Sequence, residues 1–290
     1  MTLNLTLTSE DAVYLSGDFR ITSLRDQSPL PDSYDTQKLV PVIRRDWAAL
    51  VAYAGLASAP PLVADTGQWI FQQIDTIPFD ARFSELSRCL FNANRWLSKI
   101  RGDRRIAFSA VGFWEQRPFM LLLSNFLDTN GNIADAGPEL RAYLRRSRQP
   151  EVRSVGIARP DVFERVKLEK LLKAGAARGP VPEMTRRTMG EINASVARRS
   201  RGSISEACVT GVLLRTGAAA IGAHGIPEYA ACLPTWVRRD LEKSGVSGFD
   251  ASSLPIQWKG MTAKNVKGTI VRTHEILHSG KSTRLLLRPK

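Results

Sequence analysis

The sequence predicts an α+β protein in which antiparallel sheets are layered with helices. Three observations predict it. Residues 2–8 alternate strictly between apolar and polar. The period changes to helical spacing after Pro60-Pro61 and returns to strand patterning at Arg105. A second pair of helical segments then precedes an apolar strand at Cys208. Strands, two helices, strands, two helices and a strand suit antiparallel pairing better than a parallel array, in which each strand alternates with one helix.

Each element has its own signal. Thr2-Leu-Asn-Leu-Thr-Leu-Thr8 reads as a half-buried strand, Ser9-Glu10-Asp11 as a polar turn, and Ala12 to Ser16 as the returning strand. A loop rich in Pro, Ser and Asp follows at Gln27 to Asp35. Lys38 to Ile43 and Trp47 to Ala54 form another strand pair, ended by Gly55. Residues 62–77 and 80–101 are helical, with Phe83, Leu86, Leu90, Leu97 and Ile100 on one face. Strands return at Arg105 to Trp114 and Pro118 to Asp128 around Glu115-Gln116-Arg117, and Asp128-Thr129-Asn130-Gly131 is a turn signal. Helical patterns at 161–178 and 182–200 precede the strand Cys208 to Arg215. Beyond about residue 222 glycine and proline loosen the texture, up to a closing hairpin of Gly268 to Leu277 and Thr283 to Arg288.

With 43% hydrophobic and 24% charged residues, the 290-residue composition excludes wholesale disorder, collagen-like repeats and coiled coil. No apolar run reaches the roughly 18–20 residues of a membrane span, and no secretory pattern opens the chain. Cys89, Cys208 and Cys232 are widely spaced in apolar sequence, as buried thiols of a reducing compartment are, so a cytoplasmic location is expected. The net charge of +13 is uneven: residues 1–100 carry 9 Lys/Arg against 11 Asp/Glu, and the basic excess lies in the remainder. Its clusters (Arg141, Arg145, Arg146 and Arg148; Arg186 and Arg187; Arg198, Arg199 and Arg201) read as helical and lack the interleaved aromatics of a single-strand platform. A solvated basic face or a contact with the acidic N-terminal half of another copy is expected before a nucleic-acid partner.

Two motifs are set aside. His274-Glu275-Ile276-Leu277-His278 matches H-E-x-x-H, but its β-branched surroundings and following glycine predict a strand. On a strand, positions four apart lie roughly 13 Å from each other, too far to chelate one ion. Gly280-Lys281-Ser282 has Glu275 where a phosphate-binding loop needs its first glycine, and no helix can follow. No metal and no cofactor are expected.

The informative constellation is N-terminal. Removal of Met1 would leave Thr2 with a free α-amine, and a Thr hydroxyl becomes a nucleophile once such an amine takes its proton. That amine has an unperturbed pKa of roughly 7.7–8.0, and a nearby Lys ammonium lowers it by like-charge repulsion. Asp18 and Arg20, two residues apart, and Lys38 are candidates to tune it, and the backbone of Gly55 is a candidate oxyanion donor.

The order Thr2, Gly17-Asp18-Phe19-Arg20-Ile21-Thr22, Thr36-Gln37-Lys38-Leu39 and Ala54-Gly55 resembles the proteasome β-type peptidases of the N-terminal-nucleophile (Ntn) hydrolase superfamily, including their bacterial members. Residues 107–128, Ser154-Val155-Gly156, and the run from the 182–200 helix through Gly202-Ser203-Ile204-Ser205 extend the resemblance over about residues 2–216. It implies a four-layer αββα sandwich over residues 1–220, with a C-terminal extension over 221–290. It implies a threonine peptidase or amidohydrolase with Thr2 as nucleophile, Lys38 tuning its amine and Asp18 partnering Lys38. Gly55 would then be an oxyanion donor, with Arg20, Thr22 and Ser154 in substrate binding. Peptide or protein substrates and a homo-oligomeric ring or helical assembly follow from the same resemblance, which leaves any ATPase partner unidentified. There are departures. No propeptide precedes Thr2, and Arg201 to Ser205 lacks the acid of the typical motif. The alternative is a catalytically silent protein of this fold that serves assembly or binding, with nucleic acid at its basic half as one partner.

Overall fold

The computed structural model describes residues 2–21, 32, 38–128, 132–134, 136–146, 149–156, 158–179, 181–226, 233–245, 256–278 and 281–287. Thr22, Arg148, Cys232, the turn at 129–131 and most of the 27–35 loop lie outside the described residues.

The first hairpin is β1 (Leu3–Thr8) and β2 (Ala12–Asp18), with Leu7 opposite Tyr14. The second is β3 (Leu39–Ile43) and β4 (Trp47–Gly55). The helical stretch forms α1 (Thr66–Asp75), N-capped by the Asp65 carboxylate, then α2 (Ser84–Phe91) and the single turn α3 (Asn94–Leu97). Then come β5 (Ile106–Trp114), β6 (Arg117–Ser124), β7 (Arg141–Arg146) and β8 (Glu151–Gly156). Asp161 and Glu164 close a capping box on α4 (Val162–Arg178), and α5 (Pro182–Arg199) opens with proline in its first turn. The chain ends with β9 (Cys208–Leu214), β10 (Ala219–His224), α6 (Thr235–Lys243), β11 (Ile256–Val266), β12 (Thr269–His278) and β13 (Lys281–Leu287).

Two antiparallel sheets result. One has the order β13-β12-β11-β10-β9-β2-β1-β8, and the other the order β3-β4-β5-β6-β7. β1 is not half-buried, as its alternation suggested, but buried on both faces. Leu3, Leu5 and Leu7 pack with Met189, Ile192 and Val196 of α5. Asn4 and Thr6 face the second sheet, where Asn4 donates to Ser109 Oγ at 3.3 Å, while Thr6 donates within its own sheet to the Arg153 carbonyl of β8 at 3.2 Å. Buried polar groups of this kind persist because each is bonded.

The expected four-layer αββα sandwich with an appended tail is overturned. Thirteen strands in two antiparallel sheets, one of eight strands and one of five, dominate the described residues. Beyond residue 220 the chain does not leave the sheet: β11, β12 and β13 pair in succession onto β10 and widen it to eight strands. On the outer face of these added strands Lys259, Thr262 and Lys264 are exposed. The widened sheet overhangs β3, and α6 fills the inner side of the overhang with Trp236, Val237 and Leu241, Trp236 meeting Trp258 edge to face at 5.3 Å. Residues 141–146, read as helical from their arginines, form β7, while Arg186, Arg187, Arg198 and Arg199 do lie on α5. His274 and Glu275 lie on strand β12. No described helix is long and apolar enough to cross a membrane.

Cys89 and Cys208 are free and buried, and burial pushes the Cys89 thiol up to about 12 and the Cys208 thiol higher still. A raised thiol pKa adds stability that is complete below the unfolded value near 8.5 and is lost as pH rises toward the folded value. Urea midpoints should therefore fall above about pH 8.5, by up to roughly 1.4 kcal/mol per pH unit per thiol. Cys208→Ala should show a shallower fall; an identical slope in that variant would contradict the assignment.

Candidate active site at the start of the first strand

Thr2 immediately precedes β1 and is 3% exposed. Its backbone is held from two sides. The N–H of Leu3 donates to Asp18 Oδ2 at 2.9 Å. Across the sheet Leu3 faces Gly156 of β8, where a Cβ would stand 1.9 Å from the Thr2 carbonyl oxygen. Gly156 also has a φ of +121°, so both the close approach and the backbone angle call for glycine.

Asp18 ends β2 with no exposure. Besides Leu3, the N–H of Arg20 donates to its Oδ1 at 2.7 Å and that of Ser205 at 3.4 Å. The carboxylate thus ties together the first strand, its own strand end and the loop ahead of β9. Lys38, 1% exposed, enters beside Gly17, whose absent side chain would stand 3.2 Å from the Lys38 Cβ. Its Nζ donates to the Arg20 carbonyl at 2.8 Å and lies 3.5 Å from Thr2 Oγ1. Among the described residues no ion pair within 4.0 Å joins Lys38 to a carboxylate, so Asp18 acts on it through space. Burial pulls the Lys38 ammonium below the ordinary lysine range, and Asp18, Asp65 and Asp32 push back.

The structure therefore brings Thr2, Asp18, Arg20 and Lys38 together. Gly55 closes β4 at a φ of +97°, and a Cβ there would stand 2.1 Å from the Arg105 carbonyl. Ser154 lies on β8 opposite Leu5, on the sheet face that Leu3 and Leu5 turn toward α5, and so away from the Asn4 side.

Three residues escaped the sequence reading. Ser205 donates its hydroxyl to Asp32 Oδ2 at 2.6 Å, and Asp32 pairs with Arg20 Nε at 3.1 Å. Tyr53, buried without exposure, places its ring 5.3 Å beneath Lys38 Nζ, and its hydroxyl has no hydrogen-bond partner among the described residues. Burial, aided by Asp65 and Asp18, pushes the Tyr53 phenol well above its usual range. The Pro/Ser/Asp loop was the available signal for Asp32, and the closeness of Tyr53 to Ala54-Gly55 the signal for Tyr53. Nothing in the sequence paired Asp32 with Ser205, 173 positions away.

No family model matches the sequence. A putative polyketide hydroxylase of Streptomyces coelicolor is 46% identical over 80 residues, a match that takes in 25% of this chain and 13% of that protein. Among solved structures, an Anbu (Gly-1) mutant from Hyphomicrobium sp. strain MC1 aligns over 75% of this chain and 85% of its own, at 15% identity and a TM-score of 0.49. A likeness this coarse leaves the site to be judged on its own geometry.

Two outcomes follow from that geometry. Gly156→Ala should destabilise the chain by at least about 2–3 kcal/mol, because it adds backbone strain to a collision with the Thr2 carbonyl. A change under 0.5 kcal/mol in urea unfolding would refute that placement. For Lys38 the folded pKa is depressed, so the unfolded chain holds the extra proton between that value and about 10.4. Stability should rise with pH across this window relative to Lys38→Met, and parallel curves for the two proteins would contradict it.

Proposed function

We propose that the chain is a proteasome-like threonine peptidase or amidohydrolase acting through Thr2 once Met1 is removed. The observation that carries this reading is Lys38 Nζ at 3.5 Å from Thr2 Oγ1, with Asp18 bonded to the next residue's N–H. In the proposed reaction the α-amine takes the Thr2 hydroxyl proton as Oγ1 attacks a substrate carbonyl carbon. A charged Lys38 lowers the proton affinity of that amine by like-charge repulsion, which keeps it neutral near pH 7. The tetrahedral oxyanion is met by a backbone N–H, for which Gly55 is our candidate. Collapse expels the amine of the scissile bond with the proton it receives from the α-ammonium. Water, deprotonated by the same amine, then hydrolyses the ester on Thr2 and restores the hydroxyl. Arg20 and Thr22 are assigned to substrate backbone, whereas Ser154, turned toward α5, is given no substrate contact.

Within this reading residues 1–220 carry the chemistry and 221–290 extend the sheet beyond it. Free buried thiols suit a cytoplasmic setting. The uneven charge favours head-to-tail self-association into a ring or helix, weakened by salt. The second reading, a catalytically silent assembly or binding protein, is favoured by the 3% exposure of Thr2.

Intact-mass spectrometry should show loss of Met1, and Thr2→Ala should reduce peptide or amide hydrolysis to background while leaving the unfolding midpoint unchanged. Lys38→Ala should cost roughly 10²–10⁴-fold, the usual range for disabling acid–base assistance. A chain that keeps Met1 quantitatively and still hydrolyses amides would sink the mechanism, and a processed chain with no activity would favour the silent reading. Light scattering should show assemblies larger than 32 kDa at low salt; a strict monomer there would remove the assembly proposal.

A further inference from the structure

β7 is the last strand of the five-stranded sheet, and among the described residues nothing pairs with its outer edge. Its sequence, Arg141-Ala142-Tyr143-Leu144-Arg145-Arg146, holds no acid, and Leu144 is 49% exposed. An open edge offers its N–H and C=O groups to any extended chain that can match them. Successive residues of a strand point to opposite faces, and here each face carries an arginine. Arg145 pairs with Glu151 of β8 at 3.1 Å, whereas Arg146 lies 4.4 Å over the Trp114 ring.

Each of these faces opens on a cavity. About 880 Å³ lies between β7 and β8, lined in part by Arg145, Arg153, Arg159 and Arg165. About 810 Å³ lies on the other side, lined in part by Arg44, Arg45, Arg82 and Arg215. Leu144 belongs to both linings, so the cavities meet at the strand. Against these eight arginines the two linings carry four carboxylates, Asp46, Glu115, Glu151 and Glu169.

We propose that β7 accepts an acidic peptide as a sixth strand, with alternate carboxylates of that peptide entering the two arginine-lined cavities. Strand pairing supplies affinity through the main chain, and the period of two sends neighbouring side chains to opposite faces, where both cavities are basic. The six residues of β7 span about 20 Å, enough for a peptide of similar length. A nucleic acid fits less well. The Trp114 ring is covered by Arg146 on one side and stacked on Phe83 at 4.8 Å on the other, so it offers no free face to a base. Arginines on an edge also deter another sheet from pairing, and an acidic strand is the partner for which that deterrent becomes attraction.

The test uses the full chain carrying Thr2→Ala, so that binding is read without hydrolysis and independently of the peptidase reading. A fluorescently labelled seven-residue peptide of order Val-Glu-Glu-Val-Glu-Glu-Val, whose neighbouring acids point to opposite faces, should bind by anisotropy, and its counterpart with Lys in place of Glu should not. Arg82→Glu with Arg145→Glu, both surface positions, should weaken binding roughly tenfold or more. N-methylation of alternate peptide amides should abolish binding, because it removes main-chain donors and leaves the charges in place. Equal binding of the methylated peptide would overturn strand addition. So would tighter binding of a single-stranded oligonucleotide at the same arginines. Loss of self-association in the arginine variant with unchanged peptide binding would give the edge to a second copy and overturn the proposal as well.

Discussion

The Thr2 end of the molecule depends on one buried carboxylate. Asp18 has no exposure, and an ionised group removed from water is tolerated only where the protein replaces its hydration. Backbone N–H groups from Leu3, Arg20 and Ser205 do so, and they come from three separate stretches of chain. Hydrogen bonds to a charged acceptor are worth about 1.5–3 kcal/mol each, so the group that is costly to bury also becomes the clamp that registers these stretches. Thr2 inherits its position because Leu3 is clamped. Lys38 inherits its own because the residue that donates to Asp18, Arg20, offers its carbonyl to the Lys38 ammonium.

This dependence explains which parts of the site could be read from the sequence. Asp18, Arg20 and Lys38 were legible as an order along the chain after Thr2, but β2 ends at Asp18, so Arg20 meets Asp18 through its N–H just beyond the strand and not through strand periodicity. Asp32, Ser205 and Tyr53 come from elements whose approach is a tertiary fact. The same division runs through the fold. β1, β2, β4, β5, β6 and β9 are apolar strands with clear turns and were legible. β7 was not, since Arg141, Arg145 and Arg146 carry the charge of a solvated helix face, and only its place at a sheet edge makes a charged strand stable. β10 was missed because Ala219-Ala220-Ile221-Gly222 has too little contrast for either period.

The mismatch in width between the sheets accounts for the C-terminal third. Eight strands cannot be covered by five, and the inner face of the overhang must still be kept from water. α6 does this with a mixed surface. Trp236 packs on Trp258 and tilts against His274 at 5.7 Å, while Asp240, 5% exposed, takes Arg272 at 3.0 Å and His274 at 3.4 Å. The overhang is therefore fastened by charge as well as by apolar area. On the outer face, the exposed Lys259, Thr262 and Lys264 show that the sequence there is written for water.

The loop from Arg201 to Ser205 holds no acid of its own and is tied to acids from elsewhere in the chain. Ser205 holds Asp32 by its hydroxyl and Asp18 by its N–H, so one residue links two acids on different stretches of chain. Asp32 also pairs with Arg20, which leaves Arg20 and Lys38 as cations opposite Asp18 and Asp32. Asp65 is a third acid acting on Lys38, yet of the two cations only Arg20 has a carboxylate in contact among the described residues. Lys38 is held by a carbonyl, a hydroxyl and the face of Tyr53. A lysine locked in a tight ion pair would have much of its field cancelled by its partner at short range. One held by neutral groups keeps that field directed at its neighbour, and the neighbour here is Thr2.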